Sequence, residues 1–176
     1  MTELPGPAPA RPPRGSRALA PGTPAADRHW LGAAVELSRR CPPSSAAFSV
    51  GAILVGPDGR RIAAGFSRQT DPADHAEEVA LAAARAGGAD RNSALLAGAT
   101  IYSSLEPCLH RASRPVPCAE LILAAGLRRV VLAWLEPPVF VPGGGARWLA
   151  ARGVTVVELP ELAERARSVN AHLLAG

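Results

Sequence analysis

Hydrophobic and polar positions first become periodic near residue 27. Apolar side chains then recur at helical spacing, which predicts a first helix. The apolar residues at this spacing are Trp30, Ala33, Ala34 and Leu37. Asp27 is placed to cap the start of this helix, and Pro42-Pro43 would end it.

Two apolar runs follow, and a turn separates them. Residues 49–55 and 61–66 have the composition of strands, and Pro57-Asp58-Gly59 between them is typical of a turn. We therefore expect a β-hairpin. Three later apolar runs predict further strands, at 99–104, 129–134 and 154–158.

Helical segments alternate with these later strands. Asp74 is a candidate N-cap for a helix over 75–86, and Pro117 occupies a helix-start position before 118–125. Further helices are predicted at 146–151 and 160–174. A helix between the fourth and fifth strands makes those strands parallel, with a right-handed crossover.

These elements together predict a three-layer α/β/α domain. Its five-stranded sheet would be mixed, with strands 4 and 5 parallel. We expect the helices at 75–86 and 118–125 on one face and the remaining helices on the other. Residues 1–26 are rich in proline, alanine, glycine and arginine without apolar periodicity, so they are expected to form a flexible leader before a single domain over 27–176.

Composition narrows the possible partners. The chain of 176 residues is 48% hydrophobic, enough for one domain with a substantial core. Its net charge of +4 and pI near 9.7 would suit nucleic acid, but half of the excess lies in residues 1–28, and few aromatic side chains are available for base stacking. A nucleic-acid partner is therefore not expected.

Localisation and redox state follow from what the chain contains. No run of about 18 apolar residues or compact signal peptide is visible, so we expect a cytoplasmic protein without a membrane span. Three cysteines argue against a disulfide framework. Cys41, beside Pro42, is interpreted as a bystander, with a redox or ligand role as the alternative.

The strongest chemical signal is His75 with Glu77, followed by Cys108 and Cys118. One imidazole and two thiolates leave one tetrahedral position of a zinc ion open for water, whose pKa falls to about 7 there. Glu77 could then carry that water's proton, as in the His-x-Glu and Pro-Cys signature of zinc deaminases. Alternatively, His75 is a capping or core residue and Glu77 a first-turn glutamate stabilised by the helix dipole.

Candidate substrate-binding residues surround these four. Phe48 could pack on the face of a base, or it could belong to the core. His110 follows a metal ligand closely, although a surface histidine is equally compatible with the pattern. Arg111 and Arg114 could grip a phosphate, or they could be unpaired loop arginines. Gly143-Gly144-Gly145 lacks the lysine of a phosphate-binding loop and is interpreted as a flexible turn at the pocket rim.

Several segments carry a resemblance to a known family. The chain from His29 to Leu174 resembles the deaminase domain of riboflavin biosynthesis, which also separates its two cysteines widely. The matching segments are 105–110, 115–118 and 121–126. The stretch between the cysteines is one residue longer here, Ala47 replaces a substrate-contacting asparagine, and Glu136-Pro137-Pro138 replaces an Asp-Pro-Asn-Pro element.

The resemblance implies zinc-dependent hydrolytic removal of an exocyclic amine from a pyrimidine-like base, nucleoside or nucleotide. It implies His75, Cys108 and Cys118 as zinc ligands, Glu77 as the proton carrier, and a homodimer or larger oligomer. The diaminopyrimidine ribosyl phosphate of riboflavin synthesis is the first substrate to test, and another nucleobase or nucleoside is the alternative. A non-catalytic zinc-stabilised binding module and a nucleic-acid editing enzyme are hypotheses from other classes.

Overall fold

The computed structural model describes residues 19–89, 96 and 98–174. Most of the predicted leader, residues 1–18, lies outside the described residues. Helix α1 (Pro24–Ser38) begins inside the predicted leader, and the side chain of its N-cap Thr23 accepts the N–H of Ala26. The prediction that Asp27 caps this helix is wrong, because the Asp27 carboxylate is occupied by partners from the core.

The remaining elements follow the predicted order. Most are slightly shorter than predicted, and β2 has the predicted bounds. The strands are β1 (Gly51–Val55), β2 (Arg61–Phe66), β3 (Thr100–Ser103), β4 (Arg129–Leu132) and β5 (Thr155–Glu158). The helices are α2 (Ala76–Ala86), α3 (Cys118–Ala124), α4 (Gly145–Ala150), α5 (Ala163–Val169) and α6 (Ala171–Leu174), with a 3₁₀ turn at Pro160–Leu162.

The five strands form one mixed sheet in the order β2-β1-β3-β4-β5. β1 is antiparallel to β2 and β3, whereas β3, β4 and β5 are mutually parallel. One row of paired residues crosses four strands, from Ile53 through Tyr102 and Val131 to Val157. The predicted hairpin, mixed sheet and parallel pair of strands 4 and 5 are confirmed.

Helices cover both faces of the sheet. α1 packs on β1 and β3 and also contacts α5. On the other face, α2 packs on β2 and β1 and also contacts α3. The prediction that α2 and α3 are alone on their face is wrong, because α4 packs against α3. Two successive right-handed crossovers between parallel strands that advance in the same direction place their helices on the same face.

The C-terminal segment is not the continuous helix predicted over 160–174. It breaks at Asn170, whose side-chain oxygen accepts the N–H of Ser49 at 2.7 Å and whose amide nitrogen donates to the Ser49 carbonyl at 3.1 Å. This pair of bonds fixes the segment that leads into β1. Within the ranges that the model describes, no helix combines the length and hydropathy needed to cross a bilayer.

A glycine determines how closely α2 approaches the sheet. A Cβ on Gly65 of β2 would come within 2.7 Å of the Ala76 carbonyl oxygen and the Ala80 nitrogen. Only glycine permits this contact between helix and strand backbones. The first turn of α2, which carries Glu77 and follows His75, is thereby held against the sheet.

Candidate metal centre and active site

Three predicted metal ligands meet between two helix starts. His75 directly precedes α2, Cys108 lies in the loop after β3, and Cys118 is the first residue of α3. The Nδ1 atom of His75 is 3.5 Å from the sulfur of Cys108 and 3.5 Å from that of Cys118. Among the described residues this is the one group of three or more metal-ligating side chains placed to hold an ion.

The donor set and its spacing fit zinc. A tetrahedral ion with Zn–S bonds of about 2.3 Å and a Zn–N bond of about 2.0–2.1 Å separates nitrogen from sulfur by about 3.5 Å. His75 is partly exposed and lines a cavity, whereas both cysteines are buried. Three protein ligands that face a cavity leave a coordination position for water or substrate, as catalytic zinc sites do.

The surroundings favour a thiolate at Cys108. The hydrogen bond with the Cys118 side chain and the nearby His75 lower the pKa of Cys108 to about 4 against the effect of burial. The backbone N–H of Cys118, at the positive end of α3, lies 3.4 Å from the Cys108 sulfur. The Arg111 guanidinium is 3.9 Å from the Cys118 sulfur. Negative charge on the Cys108 sulfur is therefore compensated locally, whereas the hydrogen bond with Cys108 and burial raise the pKa of Cys118 against the opposing effect of Arg111.

Glu77 lies beside the ligands and is almost completely buried, at 3% exposure. Its Oε1 accepts a hydrogen bond of 2.7 Å from the hydroxyl of Ser103, at the end of β3. Burial and the nearby Cys108 raise the pKa of Glu77, and Ser103 and His75 oppose that rise only in part. A carboxyl with a raised pKa exchanges protons more readily near neutral pH.

A cavity of about 270 Å³ opens over this centre. Three of the four predicted substrate-binding residues, Phe48, His110 and Arg111, line it, and Arg114 does not. Phe48 is buried and makes edge contacts with Trp134 and Phe140, with ring centroids 5.6 Å and 5.1 Å apart. His110 is exposed at the rim. The cavity is thus lined by aromatic side chains, such as Phe48, and by the polar groups of the metal centre.

The two predicted phosphate-binding arginines are engaged by carboxylates. The Arg111 side chain is only 2% exposed, and it donates to Glu78 at 2.9 Å and to the Ala73 carbonyl at 3.0 Å. Arg114 pairs with Asp74 at 3.1 Å and also lies near Asp71 and Glu78. In this arrangement both arginines brace the loop between the cysteines against the start of α2.

Asp74 does not cap α2 as predicted. Its Oδ2 accepts hydrogen bonds from the Thr70 N–H, the Thr70 hydroxyl and the Asp71 N–H, and Arg114 binds its Oδ1. The helix begins at Ala76 with His75 in the cap position and no side-chain cap. The carboxylate turns back because the preceding turn and Arg114 offer more donors than the helix start.

Two further glutamates belong to the site and were not predicted. Glu106 accepts the N–H groups of Gly144 and Ala146 on Oε1 and that of Glu136 on Oε2. The amide of Gly144, within the glycine turn at 143–145, is therefore bound by a carboxylate of the chain itself. Gly145 is needed there, because a Cβ would collide with the Pro107 carbonyl.

Glu136 lines the cavity, and its Oε2 is buried without a hydrogen-bond partner in the part of the chain that the model describes. Burial, together with the charges of Cys108, Glu106 and Glu77, raises its pKa to about 8. The sequence signal for it was weak, since Glu136 stands in a proline-rich stretch. Cys41 lies away from the metal centre, and its thiol donates to the Val50 carbonyl at 3.3 Å.

Comparison with known proteins supports this site. Residues 24–134 match the model of the cytidine and deoxycytidylate deaminase zinc-binding region. The chain is 36% identical over 125 residues to the diaminohydroxyphosphoribosylamino-pyrimidine deaminase of Schizosaccharomyces pombe, and this alignment covers 71% of this chain and 30% of that protein. The chain is 43% identical over 109 residues to the riboflavin biosynthesis protein RibD of Mycobacterium tuberculosis, and that alignment covers 61% of this chain and 28% of the RibD protein.

Solved structures give the same fold. Acinetobacter baumannii RibD aligns with a TM-score of 0.67 at 31% identity, covering 86% of this chain and 40% of that one. The Aspergillus oryzae Rib2 deaminase, solved in complex with DARIPP, aligns with a TM-score of 0.65 at 21% identity and covers 85% and 97%. This chain spans less than a third of the two curated relatives. Because the family model covers well over half of the chain, including His75, Glu77, Cys108 and Cys118, the chain belongs to the cytidine and deoxycytidylate deaminase zinc-binding family.

Proposed function

We propose that this protein is a zinc-dependent hydrolytic deaminase acting on an exocyclic amine of a pyrimidine-like base, nucleoside or nucleotide. One observation carries the proposal: a buried carboxyl, Glu77, lies beside a His-Cys-Cys metal centre on the floor of a cavity. His75, Cys108 and Cys118 would hold the zinc ion. Bound there, zinc supplies Lewis acidity and lowers the pKa of the attacking water.

Glu77 carries the proton in this proposal. Its carboxylate accepts the first proton of the attacking water and delivers it to the ring nitrogen next to the reacting carbon. It then takes the second proton from the hydroxyl group now on that carbon and transfers it to the amino group, which leaves as ammonia when the C–N bond breaks and the C=O bond forms. A raised pKa suits this exchange, because the carboxyl then takes up a proton more readily than an ordinary glutamate does. The buried position excludes bulk water from the proton's path.

The cavity supports a small heterocyclic substrate. Its volume of about 270 Å³ is near the lower end of the range for small-molecule sites. Phe48 offers a flat apolar face, and Glu136 offers a buried carboxyl whose Oε2 has no hydrogen-bond partner among the described residues. We propose that Glu136 binds a polar edge of the heterocycle, as an acceptor for an amino group or, when protonated, as a donor.

The first substrate to test is the diaminopyrimidine ribosyl phosphate of riboflavin biosynthesis, because the relatives that show substantial identity carry that name. Two observations favour an unphosphorylated base or nucleoside as the alternative. Arg111 and Arg114 are already paired with carboxylates, and Ala47 offers no polar group where the riboflavin enzymes use asparagine. Association into a homodimer or larger oligomer and a cytoplasmic location stay predictions from the sequence.

A panel assay tests the proposal. Zinc-loaded protein is incubated with the diaminopyrimidine ribosyl phosphate, its dephosphorylated form, cytosine, cytidine, deoxycytidylate and guanine, and ammonia release is measured. We expect release from at least one compound, and none from the same compound with Glu77→Gln. Glu164→Gln, an exposed glutamate on α5, is the matched control and should keep wild-type activity. Release that persists unchanged in Glu77→Gln would refute the assignment.

A further inference from the structure

We infer that Ser103 is a positioning residue for the proposed reaction: its hydroxyl fixes Oε1 of Glu77, so that Oε2 is the oxygen that exchanges protons. This inference rests on the proposed function. It concerns a residue at the end of β3, which is distant in sequence from the His-x-Glu segment and closely precedes the Pro107-Cys108 segment. The contact joins positions 26 residues apart.

The geometry of the contact is that of a strong hydrogen bond. The distance of 2.7 Å between the Ser103 hydroxyl and Oε1 of Glu77 is typical of a hydroxyl bound to a carboxylate. Ser103 is fully buried, and Glu77 is nearly so. Because Ser103 is shielded from water, its hydroxyl cannot exchange this bond for one with solvent.

The position of Ser103 in the sheet shows that the hydroxyl is not explained by packing. Ser103 pairs in register with Ala52 of β1 and Leu132 of β4, so its cross-strand neighbours are apolar. A buried hydroxyl in such a row costs free energy unless it is hydrogen-bonded. Glu77 is the acceptor that satisfies it.

Fixing one oxygen has a consequence for catalysis. A carboxylate that is free to rotate presents either oxygen to the substrate and spends time in orientations that do not lead to proton transfer. A side chain whose rotation is restrained holds the reacting oxygen in the productive geometry. Loss of one hydrogen bond to a charged group corresponds to a fall in kcat of roughly 10- to 100-fold.

Two substitutions of Ser103 test the inference on the zinc-loaded full chain. Ser103→Ala removes the hydroxyl and should lower kcat by roughly 10- to 100-fold, with KM changed less than about threefold. Ser103→Thr keeps a hydroxyl and should restore most of kcat. Zinc content should stay the same in both. Wild-type kcat in Ser103→Ala, or equal loss in Ser103→Thr and Ser103→Ala at matched thermal stability, would overturn the inference.

A double substitution separates positioning from a general structural role. If Ser103 acts through Glu77, Ser103→Ala should cause no further loss in the Glu77→Gln background, measured in single-turnover assays at high enzyme concentration. A structural defect would instead reduce both backgrounds by the same factor. Additive losses would therefore overturn the inference.

A spectroscopic measurement does not depend on turnover. The infrared carboxyl bands of Glu77 are identified by their absence from Glu77→Gln. They should shift in Ser103→Ala and remain in place in Ser103→Thr, and an unshifted band would overturn the contact. If wild-type protein released ammonia from no compound of the panel, the proposed function and the positioning role would fail together, whereas wild-type kcat in Ser103→Ala would refute the positioning role alone.

Discussion

Two buried acids on opposite faces of the sheet have pKa values shifted in opposite directions. Asp27 lies on α1, and Glu77 lies on α2. Adjacent residues of β3 provide each with a hydroxyl donor, since Tyr102 binds Asp27 at 2.9 Å and Ser103 binds Glu77 at 2.7 Å. This arrangement follows from strand geometry, in which successive side chains point to opposite faces.

The neighbouring charges make the difference. Asp27 also accepts two hydrogen bonds from the guanidinium of Arg129, at 2.9 Å and 2.7 Å. Burial alone would raise the pKa of Asp27, but the bonds from Arg129 and Tyr102 outweigh it and hold that pKa below its usual range. Among the described residues no guanidinium is bound to Glu77. Burial and the nearby Cys108 outweigh the opposing effects of Ser103 and His75, so the pKa of Glu77 is raised.

Asp27 and Glu77 differ in how the charge of the buried carboxyl group is compensated. A carboxylate whose charge is fully compensated holds secondary structure together and has little tendency to take up a proton. A carboxylate with one hydroxyl donor and negative neighbours can exchange protons near neutral pH. Burial alone therefore does not identify a reactive acid, and the balance of donors and charges around it does.

Removing two metal ligands should have the largest effect on activity, because the site around Glu77 then lacks its metal. Cys108→Ser with Cys118→Ser should reduce zinc from about one ion per chain to well below that, measured by elemental analysis, and abolish ammonia release. The melting temperature should also fall, because the metal joins two helix starts and a loop. Cys41→Ser is the control. Wild-type zinc affinity in the double variant would disprove the site.

Glu77→Gln should have the next largest effect on activity, and it should leave the contacts of Asp27 unchanged. Positioned proton transfer is worth about 10²–10⁴ in rate, so kcat should fall by at least that range. Zinc content, substrate affinity and melting temperature should stay close to wild type, because Glu77 is not a ligand. Loss of zinc with the carboxylate would make Glu77 structural and contradict the comparison.

Asp27→Asn should produce the converse result. It leaves the charge of Arg129 without its partner and should cost roughly 2–3 kcal/mol of stability, or about 4–12 °C in melting temperature. Its kcat at 25 °C should be unchanged. Because the folded-state pKa of Asp27 is lowered, its contribution is present above about pH 4 and is lost as the pH falls through the folded-state pKa.

The difference in stability between wild type and Asp27→Asn should therefore narrow below about pH 4, as measured by denaturant titration at several pH values. Asp58→Asn, an exposed residue in the turn between β1 and β2, is the control and should show no such change. A stability difference that is independent of pH down to pH 2 would show that the charge of Asp27 is not the source.

Glu136→Gln tests whether a third buried carboxyl belongs with Glu77 in function. The pKa of Glu136 is raised to about 8, so its protonation changes between pH 7 and pH 9. If it binds the heterocycle, the substitution should raise KM by about tenfold, as expected for one hydrogen bond in a buried site, and it should remove the change in KM over this pH range. An unaltered KM profile would contradict substrate contact.

Arg114→Ala should have the smallest effect on substrate selection. Because its guanidinium is held by Asp74 and neighbouring carboxylates, we expect KM for phosphorylated and dephosphorylated substrate to change by less than about threefold and by the same factor. Steady-state kinetics with both compounds measure this. A selective rise for the phosphorylated compound would show that Arg114 leaves its partners to bind phosphate.

Local patterns in the sequence were sufficient for the elements of the fold and for the metal centre. Strand composition, turn residues and helix starts depend on neighbours within a few positions, so the hairpin, the five strands and the parallel fourth and fifth strands were predicted. His75, Cys108 and Cys118 were found because few chemical roles combine an imidazole and two thiols beside helix starts. The N-caps of α1 and α2 were not, because the carboxylates of Asp27 and Asp74 each had better donors elsewhere, whereas Pro117 does precede α3 as predicted.

Tertiary structure alone determined how the charges are balanced. The contacts of Ser103 with Glu77, of Glu106 with the amides near 136–146, and of Arg111 with Glu78 join residues that are 26 to 40 positions apart. No local periodicity records such pairs, because their free energy depends on burial and on distances that exist only after the sheet and helices have packed. The sequence by itself therefore determined which atoms can bind a metal. Packing decided which buried carboxyl pairs with a guanidinium and which has its pKa raised by burial and a negative neighbour.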